Sequence, residues 1–191
     1  MTSDLKLGAQ NILNVIKMIE DYRLDIRTVT MGISLIGCTR NTMADTAQAV
    51  YDRVTSRAAN LVSVCEGLER ELGIPIVNKR ISVSPVSLVA AGVEGNPVDI
   101  AKALDRAAGE LGVNFVGGYS ALVEKGATAS DDRLIRSIPE ALSTTEAVCG
   151  SVNVATSRAG VNMDAIGPVS YTHLTLPTIR HRCRSRWSPY H

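Results

Sequence analysis

Cys149, Ser151 and Asn153, followed by the cation Arg158 and then by Asn162 and Asp164, are the residues whose types and spacing best suit chemistry. Alternate side chains of a strand share a face, so a thiol, a hydroxyl and a carboxamide line one side here. Val148, Gly150, Val152 and Val154 take the other. A thiolate is a nucleophile or redox group, Ser and Asn orient a bound molecule, and a guanidinium grips a carboxylate or phosphate through paired donors. Asn162 is placed to cap a helix with Asp164 in its first turn. A strand running into a small-residue loop and a helix start is a common way to present polar groups to a ligand.

The elements that must position these groups read as an alternation of helices and strands. Ile12, Val15, Ile16 and Ile19 recur at helical spacing and predict an amphipathic helix from about Leu7 to Tyr22. Val29, Met31, Ile33 and Leu35 alternate with Thr28, Thr30, Gly32 and Ser34, a strand with one apolar and one small polar face. It ends at a loop holding Cys38 and Arg40, the usual place of ligand sites in α/β sheets. A single long helix is expected over Thr42–Leu72, with Cys65 in its apolar stripe as a core residue. The strand Ile74–Ser84 sets Val77, Ile81 and Val83 against Asn78, Arg80, Ser82 and Ser84, so Arg80 joins the candidate ligand-binding residues.

Asn96, Pro97 and Asp99 start a helix that Gly112 ends, and the strand Val113–Val116 follows. Glu71-Leu72-Gly73-Ile74 and Glu110-Leu111-Gly112-Val113 repeat one device, helix to glycine to strand, which punctuates an α/β fold with sequential parallel strands. Gly117-Gly118-Tyr119-Ser120 reads as a flexible turn after that strand, and Gly118 and Ser120 are candidate ligand contacts there. Neither Gly-x-x-x-x-Gly-Lys-Ser nor Gly-x-Gly-x-x-Gly occurs in the chain. Asp131–Leu142 is a further predicted helix. Four strands with small or polar faces suit a closed or strongly curved sheet lined by those faces.

Composition narrows the classes of function. The 191 residues are 45% hydrophobic and 20% charged with a net charge of +1, an ordinary globular balance that speaks against binding nucleic acid by phosphate neutralisation. No apolar run approaches membrane-helix length, and a cytoplasmic setting is expected. The charge shifts near Gly167. Val169–His191 holds four arginines, all three histidines and the only tryptophan, and no acid; removing the four arginines leaves 16 basic against 19 acidic residues in 1–168, a net charge of −3. Such a tail suits a basic arm. However, Ser170–Ile179 resembles translated sequencing-adapter sequence, so residues 169–191 are expected to be non-native or disordered and 1–168 to be the domain. With that tail excluded, a catalytic pair built on histidine and a histidine metal site are ruled out, and no metal site is expected. Cys38, Cys65 and Cys149 show no Cys-x-x-Cys spacing and read as reduced thiols.

Several long motifs carry a family resemblance. Asp25–Leu35, Gly73–Arg80, Gly117–Leu122, Ser151–Asn153 and Arg158–Met163 resemble, in order, the bacterial and archaeal PFL-like family of uncharacterised proteins. The resemblance covers residues 1 to about 168. It implies an α/β barrel similar to the pyruvate formate-lyase fold, here the N-terminal part of a longer protein broken off just after Ala165. It also implies a possible ACT-domain partner, since members are often encoded beside one. Fold similarity does not transfer chemistry. Glycyl-radical catalysis needs thiols beside a radical-bearing glycine loop, and no adjacent cysteine pair is present. Two functions are therefore expected. One is an enzyme acting on a small anionic metabolite, with Cys149 as its thiol and Cys38 as a second candidate. The other is a non-catalytic sensor of an amino acid or carboxylate. No cofactor is assigned, and an oligomer is compatible with either.

Overall fold

Each of the first three strands is followed by helix and then by a strand laid parallel beside it. The computed structural model describes residues 26–175, together with Gln10, Leu13, Asn14, Ile16 and Lys17. Those five are helical; the rest of the helix expected over Leu7–Tyr22, and the tail beyond Thr175, lie outside the described residues. Strands β1 (Ile26–Ile33), β2 (Ile76–Val83), β3 (Phe115–Leu122) and β4 (Val148–Asn153) form one sheet in chain order, every pair parallel. Helices α1 (Met43–Ala58) and α2 (Leu61–Leu72) join β1 to β2. A single turn, α3 (Val86–Val89), and α4 (Val98–Leu111) join β2 to β3, and α5 (Ala129–Thr144) joins β3 to β4. A two-stranded hairpin of β5 (Ala155–Thr156) and β6 (Gly160–Val161) then leads into α6 (Met163–Thr175). This is the expected α/β class with a four-stranded parallel sheet.

The helices form where local chemistry favours them. The Thr42 hydroxyl accepts from the Asp45 amide to open α1, and Thr128 and Asp131 make a reciprocal capping box at α5. Gly73 and Gly112 close α2 and α4 in the left-handed conformation, as the repeated helix–glycine–strand device predicts. The helix expected over Thr42–Leu72 is instead two helices broken at Ala59 and Asn60. Unbroken, those residues would extend about 46 Å, far past an eight-residue strand of about 26 Å. The break lets α1 pack on α4 while α2 reaches β2.

Helical crossovers between parallel strands are right-handed, so a sheet in chain order carries its helices on one side. On that side Met31, Ile81, Val116 and Val148 form a continuous row through the sheet, with Ile33 beside Val83 in the next. Leu104, Leu134 and Ile135 from α4 and α5 join the same buried core. Val77, expected on this face, is exposed near the start of β2. The helix α6 crosses the composition break near Gly167; Ala165 is buried and Val169 packs against the core.

The sharpest correction concerns Gly117–Ser120, which is strand rather than turn. Register shifts between Gly117 and Tyr119, a bulge centred on Gly118 with φ of 120°. A Cβ at Gly118 would sit 2.5 Å from both the carbonyl oxygen and Cγ2 of Val83, so only glycine lets β3 approach β2 there. Past the bulge the alternation resets, and Tyr119 enters the core with its hydroxyl 2.5 Å from that of Ser137 on α5.

Gly118→Ala is expected to lose about 3 kcal/mol or more in urea denaturation, from backbone strain plus the clash. Gly117→Ala, whose added Cβ meets nothing within 4 Å, should stay within about 0.5 kcal/mol of the parent. Burial pushes the Tyr119 phenol up to about 12, against the opposing effect of its bond to Ser137. An unfolded tyrosine ionises near pH 10, before the folded one. Stability should therefore be complete below about pH 10 and fall as pH rises towards 12, and Tyr119→Phe should flatten that slope in denaturation against pH.

Candidate functional site

The face turned away from the helices is built from small and polar residues. Across the sheet, Thr30, Arg80 and Phe115 are register partners in one row, and Gly32, Ser82, Gly117 and Cys149 in the next. Ser120 beside Ser151, and Leu122 beside Asn153, continue the face towards the C-terminal ends of β3 and β4. Thr30, Gly32, Ser82, Cys149, Ser151 and Asn153 are all exposed. A Cβ added at Gly32 or Gly117 would meet nothing within 4 Å. Two rows of β-structure thus leave a shallow trough floored by glycine and serine, with Cys149 at its β4 end.

Arg80 stands beside this trough on a central strand. Its guanidinium carbon lies 5.2 Å from the centroid of the Phe115 ring, a cation–π contact of about 0.5–2 kcal/mol. Its Nε is buried and has no hydrogen-bond partner. An unpaired buried donor costs about 1–3 kcal/mol, which the stacking on Phe115 helps to offset. The other partly buried cation of β2, Lys79, is neutralised by Glu69 at 3.5 Å on the helix side. Among the described residues, Arg80 thus puts a positive charge on the open face without a carboxylate in salt-bridge range.

The remaining sequence candidates fall into separate places. Ser120 is buried and donates to the Gly118 carbonyl at 3.3 Å. Asn153 donates to Glu124 at 3.5 Å. Gly118 serves the bulge. Arg158 is exposed in the turn between β5 and β6, and Asp164 is exposed in the first turn of α6. Asn162 donates from Nδ2 to the Val123 carbonyl at 2.6 Å and accepts the Ala165 amide at 3.3 Å, so it caps α6 as expected while tying it to the end of β3. Cys149 is the second residue of β4. Arg158 and the start of α6 lie beyond the other end of that strand, separated from Cys149 by about 13 Å of β-structure. The structure thus groups Arg80 and Cys149 on one face with Ser151 and Asn153 and sets Arg158, Asn162 and Asp164 apart.

Cys38 is a different case. Its loop follows β1 as expected, but the side chain is buried. It lines an open groove of about 610 Å³ along α1 with Arg40, Asp45, Gln48, Asp52 and Arg53. Arg40 is turned back onto its own loop, donating to the carbonyls of Gly37 at 2.8 Å and Thr39 at 2.9 Å. Asp45 and Asp52 offset the two arginines, so this groove has none of the one-sided charge of the sheet face. Among the described residues no three His, Cys, Asp or Glu side chains gather as a metal site requires. None of the helices there is long and apolar enough to cross a membrane.

Sequential parallel strands with helices on one side and a face of small and polar residues on the other define an α/β protein. The chain matches the family described as Uncharacterised ACR (DUF711) over residues 17–182 and belongs to it. It is similar to a UPF0210 protein of Corynebacterium glutamicum, with 73% identity over 159 residues, 83% of this chain and 34% of the relative. Similar proteins from Pelotomaculum thermopropionicum and Listeria monocytogenes serovar 1/2a are 56% and 54% identical, each over 84% of this chain and 36% of the relative. The chain spans about a third of the length of these relatives.

Native iodoacetamide labelling followed by peptide mapping should modify Cys149 well before Cys38 and Cys65, which are buried. Equal rates at all three would mean that the sheet face is not open.

Proposed function

We propose that this chain binds a small anionic metabolite on the open face of its sheet, as part of an enzyme whose thiol is Cys149. The observation that carries the reading is Arg80: a guanidinium on a central strand, stacked on Phe115, beside a trough with glycine in its floor and Cys149 at its end. A carboxylate or phosphate pairs with a planar guanidinium through two parallel bonds, and the glycines leave room for the body of the ligand against the backbone. Ser82 and Ser151 supply hydroxyls on the same face. The barrel similar to the pyruvate formate-lyase fold is proposed with it, for the family's longer polypeptide. Its support is the strand order and a face that, among the described residues, carries no helix and in a closed sheet becomes the interior. The setting we propose is cytoplasmic, consistent with the buried thiols of Cys38 and Cys65.

A sensor that binds the same class of ligand and signals to an ACT-domain partner uses Arg80 in the same way but has no need of Cys149. The two readings separate in one experiment. Thermal-shift screening against amino acids, keto acids and phosphorylated metabolites should find an anion that stabilises the protein. Arg80→Gln should weaken that ligand about 30-fold, the loss of about 2 kcal/mol for a charge-assisted pair. Unchanged affinity in Arg80→Gln would overturn the site. Cys149→Ser should leave binding within a few-fold while abolishing turnover; turnover that persists in Cys149→Ser would favour a sensor or another catalytic group.

A further inference from the structure

In a step that rests on Arg80 binding the anion, we infer that Gly117 is the passage between Arg80 and Cys149, and that the ligand lying across it is a short 2- or 3-oxo acid. Its carboxylate meets the guanidinium and its carbonyl carbon meets the thiol.

The unmet donor of Arg80 selects the carboxylate. Among the described residues its Nε is buried without a partner, while Phe115 covers one face of the guanidinium. The edge of the fork is left for a ligand. A carboxylate bound side-on through Nε and one Nη makes two parallel charge-assisted bonds and gives the orphaned donor its acceptor. A carboxamide has one acceptor to offer the same pair of donors.

The floor between the two groups selects a ligand that spans them. Arg80 is the register partner of Phe115, Ser82 of Gly117, and Gly117 of Cys149. A line from Arg80 to Cys149 therefore crosses β3 between Phe115 and Gly117, where Val116 is turned into the core. A Cβ at Gly117 would meet nothing within 4 Å, so the space above it is open, and Cys149 is exposed on its far side.

Length selects the position of the reacting carbon. Two strand spacings across the sheet and two residues along it put the Cα atoms of Arg80 and Cys149 about 12 Å apart. The guanidinium leans towards β3, 5.2 Å from the Phe115 centroid, which leaves roughly 8–10 Å to the sulfur. Paired N–H···O bonds take up about 2.8 Å of this, and the approach of sulfur to carbon about 3–3.5 Å. What remains between carboxylate oxygen and reacting carbon is about 2–4 Å, or two to three bonds of about 1.5 Å. Those bonds end on C2 or C3 of the acid. The thiolate's electron pair forms the S–C bond, the carbonyl π pair moves onto oxygen, and the proton that the thiol gives up ends there. The adduct is a hemithioketal, formed without oxidant or reductant and reversible by the same path.

Affinity labelling of this chain reads the spacing. Iodoacetate and 3-bromopropionate carry their leaving groups on C2 and C3, and 5-bromopentanoate carries its own on C5. Each acid is compared with its amide, with rates at Cys149 followed by peptide mapping and scaled to those with glutathione. The acid should outpace the amide at least about tenfold for the two short reagents and less than about twofold for the long one. Arg80→Gln should bring every ratio close to one. Gly117→Ala, with its added methyl in the passage, should cut the short-acid ratios at least about threefold without slowing the amides. Equal ratios at all lengths, a maximum for the five-carbon acid, or short-acid ratios unmoved by Gly117→Ala would overturn the inference. If an anion found by thermal shift still loses affinity in Arg80→Gln, the anion site survives that failure; if that dependence is absent too, both fall.

Discussion

The handedness of the crossover governs this structure. When parallel strands follow one another in chain order, every right-handed connection places its helix on the same side. α1, α2, α4 and α5 therefore share one layer, and among the described residues the opposite face of β1 to β4 is left to side chains alone. The core row of Met31, Ile81, Val116 and Val148 and the open row of Gly32, Ser82, Gly117 and Cys149 are two sides of one register. Apolar packing holds the first row in place, and the second is carried with it.

The two ends of the sheet are treated differently. At the N-terminal ends of the strands, polar side chains clamp the backbone. Glu69 accepts the Ile76 amide at 2.6 Å, Asn114 accepts the Lys79 amide at 2.8 Å, and Asp105 accepts those of Glu146 and Ala147 at 2.8 and 2.7 Å. Bonds to a charged acceptor contribute about 1.5–3 kcal/mol, so this end is built for stability. At the C-terminal ends lie the Cys38 loop, the short α3, the exposed Leu122 and the hairpin that carries Arg158. Stitches here are lighter, such as Thr39 donating to the Val89 carbonyl and Ser130 to that of Ser87. Rigid scaffold beneath and variable loops above is the usual division of labour in α/β proteins.

Between these ends the Gly118 bulge does two jobs with one residue. It brings β3 against Val83 of β2, and it resets the alternation so that Tyr119 and Ala121 face the core while Ser120 joins Ser151 on the other side. Without the extra residue, Gly118 and Ser120 would share the core face with Val116, and Tyr119 would point away from Ser137. The cost of keeping Arg80 on the open face with an unpaired Nε is met by packing elsewhere, which is the pattern of a residue retained for what it touches.

Periodicity and punctuation in the sequence were enough to define the α/β class, the strand at Cys149 with its valines inward, the capping role of Asn162 and the glycine stops at Gly73 and Gly112, because each depends on residues close in the chain. The motifs also sufficed to place it in its family. Three features depended on contacts between distant residues. The break after Ala58 follows from the length of a sheet that the helix pattern does not encode. The Gly117–Ser120 segment has the composition of a turn, and only pairing with β2 and β4 makes it a bulged strand. The third is the company of Cys149. Reading along the chain gave it Arg158 as a neighbour, whereas parallel register sets it in one row with Gly117 and Ser82, because adjacent strands far apart in sequence lie about 5 Å apart in space, while four residues of one extended strand span about 13 Å.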